Sequence, residues 1–281
     1  MLVGLLLSGA GVLIWRSLGD RSLERVQRRG SIRIGYAIEA PFAFLNERGE
    51  VTGEAPEIAR RVAAALGIAQ VDWQVSEFGT LLSDLRAGRV DVVAAGVFIT
   101  PERARLVAFA DPTFHVTQAL LVRRGNPLGL HSYEDAIRNP AVRLAVLDGS
   151  VEARLLSSLG MREPRLVAVP EARAGQKALQ LGMVDGVALS SPTVRWMAQV
   201  DRQRLTEVAE PFGQPGQALV ADAGYGAVAF RKEDVRLRQG WNRAQRAFLG
   251  TPEHHELVAR FGFTHAESPG GITANQVLGA P

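Results

Sequence analysis

The chain has 281 residues, of which 47% are apolar and 22% charged. That length and balance suit two globular units and exclude a disordered or fibrous chain. The formal charge of +3 comes from thirty Arg and two Lys spread against twenty-nine acids, with no basic block that would point to nucleic acid. With no Cys there is no disulfide frame, thiolate zinc site or cysteine nucleophile, and five scattered His argue against a metal centre.

Leu2 to Trp15 is an uninterrupted run of apolar and small residues. It is short for the roughly 20 residues of a membrane span and suits the apolar core of an export signal. No basic residue precedes it, and five Arg between Arg16 and Arg29 follow it, so a retained membrane tether is the alternative. Either way the expected location is extracytoplasmic.

Downstream, apolar runs of strand length alternate with helix-period segments, the mark of an α/β chain with parallel units. Ile32–Ile38 reads as a strand. Val51–Gly67 reads as a helix with Pro56 in its first turn, Ile58, Val62 and Leu66 on one face, and Gly67 as its stop. Further strands are expected at Val71–Val75, Val90–Val97, Ala119–Val122, Arg143–Leu147, Leu166–Val169, Gly186–Leu189 and Ala227–Phe230. The pattern L-x-x-G-x-V-D-x-V-A occurs twice, at 85–94 and 179–188, once in each half. Two similarly built lobes follow from it: residues 31–123 with a return over 225–266 in lobe one, and 124–224 in lobe two. Residues 1–30 are the signal-like or anchor segment and basic linker, and 267–281 a tail. Gly-rich stretches at Arg123–Pro127 and Ala221–Gly224 are the expected crossings between lobes.

Ligands of open α/β sheets lie beyond the carboxyl ends of the strands. There the chain places Glu39, Phe42, Phe78, Phe98 and Arg103 in lobe one, and Gly149-Ser150-Val151 and Ser190-Ser191-Pro192-Thr193 in lobe two. Phenyl faces suit diffuse positive charge, Glu39 supplies a counter-charge, and the Arg103 fork suits a carboxylate. Backbone N–H groups of Gly149-Ser150-Val151, at a helix start, would complete the anion site from the opposite lobe. A small zwitterion is the expected ligand. Glu54 and Glu57 read as helix-start acids with a structural role, and Trp73, Trp196 and Trp241 as packing residues. No catalytic residue and no cofactor is expected.

The succession IRIGYAIEAPFAF, VTGEAPEIARRVAAALG, EFGTLLSDLRAGRVDVVAAGVFITPERARLVAFADPTF, LLVRRGNP and GYGAVAFRKED resembles the family 3 solute-binding proteins of polar amino acid ABC transporters. The resemblance runs from about Ser31 to Ala266, and E-A-P-F with Phe78 and Phe98 narrows it to the ectoine and hydroxyectoine-binding branch. It implies a two-lobed type II periplasmic binding protein with a cleft between the lobes, acting as a monomer and delivering its ligand to a permease. It further implies that Arg103 holds the ligand carboxylate, Glu39 the ring amidinium, and Phe42, Phe78 and Phe98 an aromatic box. Family members that bind α-amino acids usually carry an Asp at the end of the second-lobe strand, where this chain reads Leu189-Ser190-Ser191-Pro192. A polar amino acid-binding protein, or an enzyme similar to periplasmic cyclohexadienyl dehydratases with Glu39 as acid or base, is the alternative.

Overall fold

The computed structural model describes residues 19–214 and 224–279. The export or anchor segment therefore lies outside the described residues, as does most of the expected crossing at Ala221–Gly224. Among the described residues no helix is long and apolar enough to cross a membrane.

Two five-stranded sheets organise the chain. The strands that build them are β1 (Ser31–Tyr36), β2 (Gln70–Val75), β3 (Val92–Val93), β4 (Ala108–Phe109), β5 (Gln118–Arg123), β6 (Leu144–Leu147), β7 (Leu166–Val169), β8 (Gly186–Ser190), β9 (Thr206–Val208) and β10 (Ala229–Phe230). The first sheet runs β2-β1-β3-β10-β4 and the second β7-β6-β8-β5-β9. In each, three strands are parallel, and one strand enters antiparallel from the other half of the chain: β10 beside β3, and β5 beside β8.

This exchange shifts the expected boundary. β5 pairs over its whole length with Gly186–Ser190 of the second sheet, so residues 118–123 fold with lobe two. The first crossing comes earlier, where Phe114–His115 pairs antiparallel with Tyr225–Gly226 in a two-stranded ribbon. Gly226 is obligatory there, since a Cβ would sit 1.9 Å from the Phe114 ring. The Gly-rich stretch at 123–127 is a turn at the far end of β5.

The repeated sequence pattern is a repeated structural idiom. Gly88 and Gly182 both adopt left-handed backbone, at φ of +72° and +71°, just past the helices Leu81–Arg86 and Ala172–Gln180. The Asp that follows then clamps the neighbouring strand. Asp91 donates its backbone N–H to Arg33 O at 2.8 Å and accepts from Arg33 N at 2.9 Å; Asp185 does the same with Arg143, at 2.7 and 2.9 Å. Each lobe thus fixes the register of its central strand with the same carboxylate bridge.

The helix Glu54–Ala65 buries Ala55, Ile58, Ala59 and Val62 along one stripe against the first sheet. Burying side chains such as Ile58 and Val62 stabilises by roughly 1.5–3 kcal/mol each. Gly53 begins it because a Cβ there would lie 2.5 Å from the Phe42 carbonyl oxygen. Two expectations change at the chain ends. Part of the basic linker is a helix, Ser22–Arg29, with Val26 in the lobe-one core and Arg25 paired with Asp234 at 3.0 Å. The expected tail folds back as well: Ala274 and Val277 are buried, and Ala274 donates to Asp111 at 3.3 Å.

Candidate ligand-binding site

All seven expected site residues line one hollow between the lobes, together with Gly96, Leu147, Glu152, Leu189 and Ser190. The lobes lie so close that it leaves only about 20 Å³, room for little more than one water, so they must part to admit a ligand. From lobe one, the loop after β1 brings Glu39 and Phe42, the loop after β2 brings Phe78, and the segment after β3 brings Phe98 and Arg103. From lobe two, the loop after β6 brings Ser150, Val151 and Glu152, and the end of β8 brings Ser190.

Arg103 stands on the helix Pro101–Leu106, which Thr100 caps by accepting from Arg103 N at 3.2 Å. Its side chain is buried and spans the cleft. One terminal nitrogen donates to Phe98 O and the other to Gly149 O across the lobe gap, both at 2.9 Å. Those two bonds use two of five guanidinium N–H donors, leaving three for a ligand. The guanidinium carbon lies 5.6 Å from the Phe78 ring centroid. Burial, and then the neighbouring Arg154, bring the Arg103 pKa down to about 10, against the opposing pull of Glu152, Glu102 and Glu39.

Glu39 is buried and accepts a hydrogen bond from Thr193 of lobe two at 2.9 Å. Burial, with the like charge of Glu152 next, pushes its pKa up to about 8, opposed by the Thr193 bond and by Arg103. Glu152 is also buried, and its pKa is raised chiefly by desolvation. It lies one residue beyond the expected Gly149-Ser150-Val151. The signal was present, since an acid in the first turn of the helix Val151–Ser158 faces the same crevice as the cap before it.

The phenyl groups take unequal positions. Phe42 is the back wall: its ring packs on Phe114 at 4.7 Å and Phe263 at 5.5 Å, and Gly96 is bare because a Cβ would meet the Phe42 ring at 2.7 Å. Phe98 leans edge-on against Phe114 at 6.0 Å. In lobe two the expected N–H donors are reduced by one, because Ser150 N already donates to Leu147 O at 3.0 Å and its hydroxyl caps Ala153 N at 3.1 Å. Trp196, expected as packing, meets Phe44 of the other lobe at 5.3 Å at the cleft rim, while Trp241 is wholly buried.

The lobes meet at further points around this hollow. Arg195 pairs with Glu267 at 2.6 Å, and Arg154 pairs with Glu102. Backbones pinch together where a Cβ on Gly149 would lie 2.8 Å from Gly79 Cα. Glu54, expected as a helix-start acid with a structural role, does open the helix Glu54–Ala65, but it is 1% exposed and neither carboxyl oxygen has a well-formed hydrogen bond within the described residues. Burial lifts its pKa to about 7, against an opposing pull from the Thr113 side chain.

The model for bacterial extracellular solute-binding proteins, family 3, matches residues 32–264. The chain belongs to that family. Its two sheets and interlobe cleft are the family's two-lobed binding-protein fold. A probable amino-acid ABC transporter periplasmic-binding protein of Sinorhizobium fredii is 32% identical over 247 residues, 87% of this chain and 81% of that protein. The solved structure of EhuB in complex with hydroxyectoine superposes with a TM-score of 0.82 at 31% identity, covering 91% of this chain and 96% of that one. An ancestral amino acid-binding protein described as a precursor of cyclohexadienyl dehydratase shares the fold, with a TM-score of 0.73 at 24% identity over 85% of this chain and 98% of that one.

Proposed function

We propose that this family 3 protein is the extracytoplasmic receptor of an ABC importer, that it binds a compact zwitterion such as ectoine or hydroxyectoine, and that it passes the ligand to a permease. One observation carries the reading: Arg103, Glu39 and the rings of Phe78 and Phe98 share one small enclosed hollow whose walls come from both lobes. A carboxylate on the free Arg103 donors and a delocalised cation between phenyl faces and Glu39 would satisfy every charged group but one. The likeness to the hydroxyectoine complex of EhuB supports the ligand class. Absence of the usual Asp at Leu189–Pro192 argues against an ordinary α-amino acid, whose ammonium would lose a charge-assisted hydrogen bond of roughly 1.5–3 kcal/mol.

Function in this reading is affinity coupled to closure, since contacts such as Arg103 to Gly149 and Thr193 to Glu39 exist only when the lobes meet. Calorimetry with ectoine, 5-hydroxyectoine, glycine betaine and polar amino acids is the test. Heat from an ordinary amino acid and none from ectoine reverses the ligand assignment. The raised pKa of Glu39 is the one observation that favours an enzyme on the same scaffold, and turnover of prephenate or arogenate would establish it.

A further inference from the structure

The charge count of the hollow does not balance for the ligand proposed above. It encloses one cation, Arg103, and two carboxyl groups, Glu39 and Glu152, each less than a tenth exposed. With both acids ionised the enclosed protein charge is −1, and a net-neutral zwitterion leaves it at −1. An uncompensated charge in an enclosed site is costly, and protonation is the usual escape.

The two acids differ in their surroundings. Glu39 accepts from Thr193 and faces the position proposed for the ligand's cation. Glu152 is approached by the Ser150 hydroxyl, the Gln118 side chain and its own backbone N–H, all neutral. Tyr133, behind Gln118, is also neutral: its hydroxyl donates to Ala119 O at 3.1 Å, and burial with the Glu152 charge keeps its pKa well above the usual value. Arg154, on the same helix, is paired with Glu102 at the rim. The cation that offsets Glu152 is therefore Arg103, and a ligand carboxylate would take it over, leaving Glu152 between two like charges.

We propose that Glu39 and Glu152 act as a carboxyl pair that takes up one proton from solvent when the hollow closes on a net-neutral zwitterion, with Glu152 as the member that carries it. A ligand of net charge +1 would balance both carboxylates and take up none. Glu152 thereby sets which ligand charge the site accepts at a given pH. This rests on the zwitterion reading above.

The sign follows from linkage. With the lobes apart both acids would meet water and return toward the ordinary carboxyl value of 4.5, whereas enclosure raises both, Glu39 to about 8 in the absence of ligand and Glu152 in the same direction. Above 4.5, and up to the pH at which the closed pair gives up its proton, the complex binds one more proton than its separated parts, so affinity for the zwitterion falls by about tenfold per pH unit as pH rises.

The experiment is calorimetry with ectoine at pH 5.5, 6.5 and 7.5, in two buffers of different ionisation enthalpy at each pH, on the native protein and on Glu152→Gln. The native protein is expected to take up close to one proton at pH 6.5 and to lose affinity by about tenfold per unit. Glu152→Gln is expected to take up almost none and to show an almost flat profile. Native binding of ectoine with no proton uptake overturns the proposal. So does a Glu152→Gln protein that keeps the native uptake, which would put the proton on Glu39. If neither ectoine nor 5-hydroxyectoine binds the native protein, it is the functional reading that fails instead. The native measurement needs no variant, and a circular dichroism melt of Glu152→Gln establishes that its flat profile comes from a folded protein.

Discussion

Replacing Arg103 with Ala is the most incisive perturbation of the site. The side chain is buried; within lobe one a donor is held by Phe98 O at 2.9 Å, which orients the fork before any ligand arrives, and the second bond, to Gly149 O at 2.9 Å, forms on closure. A carboxylate gripped by two of its remaining donors gains two charge-assisted hydrogen bonds at roughly 1.5–3 kcal/mol each. The variant should therefore lose about 3–6 kcal/mol of binding free energy, or two to four decades in Kd at 1.4 kcal/mol per decade. The loss of the bond to Gly149 weakens closure in the same direction. Arg103→Lys keeps the charge without the fork, and its affinity is expected between the two. Calorimetry with 5-hydroxyectoine on all three proteins, alongside circular dichroism melts, reads both effects. An Arg103→Ala protein that melts normally and binds within threefold of native would refute the placement of the ligand carboxylate.

Phe78→Leu removes a ring face from the hollow while keeping an apolar side chain, and should weaken binding of the cation by about 2- to 30-fold, matching ~0.5–2 kcal/mol for one cation–π contact; equal affinities by calorimetry would remove Phe78 from the box. Gly149→Ala should fold but fail to close. Its φ of +72° disfavours a side chain and its Cβ would meet Gly79 Cα at 2.8 Å, so small-angle scattering should show no compaction on adding ectoine. Glu54→Gln should stabilise the protein at neutral pH. The folded-state pKa of about 7 lies above the ordinary 4.5, so the native stabilisation tied to the protonated form is complete below 4.5 and is lost as pH rises through 7. The gain from the amide should approach about 3 kcal/mol above pH 7 and vanish near pH 4.5 in urea titrations; a gain independent of pH would contradict this. Arg195→Ala removes an interlobe ion pair whose arginine is 41% exposed, so it should cost closure little, under about 1 kcal/mol, and less still in high salt.

The primary structure by itself determined the order of strands and helices, the duplicated helix-to-strand idiom and the strand-end residues that converge on the cleft. These depend on local periodicity and on a rule of α/β topology, both written in residue order. Tertiary structure alone decided three things. Strand Gln118–Arg123 folds with the second sheet because its partner is Gly186–Ser190, a pairing across more than sixty residues that no local pattern specifies. Glu152 joins Glu39 and Arg103 because loops from two lobes close on each other, so the charge balance of the hollow exists only once it is enclosed. Glu54 shows the same separation in one residue. Its place at a helix start follows from Gly53 and the apolar stripe behind it, whereas its burial follows from a C-terminal segment that folds back over it, through Phe263 and His254. Local propensity assigns the element; desolvation, which sets the protonation of each acid, is a property of the assembled whole.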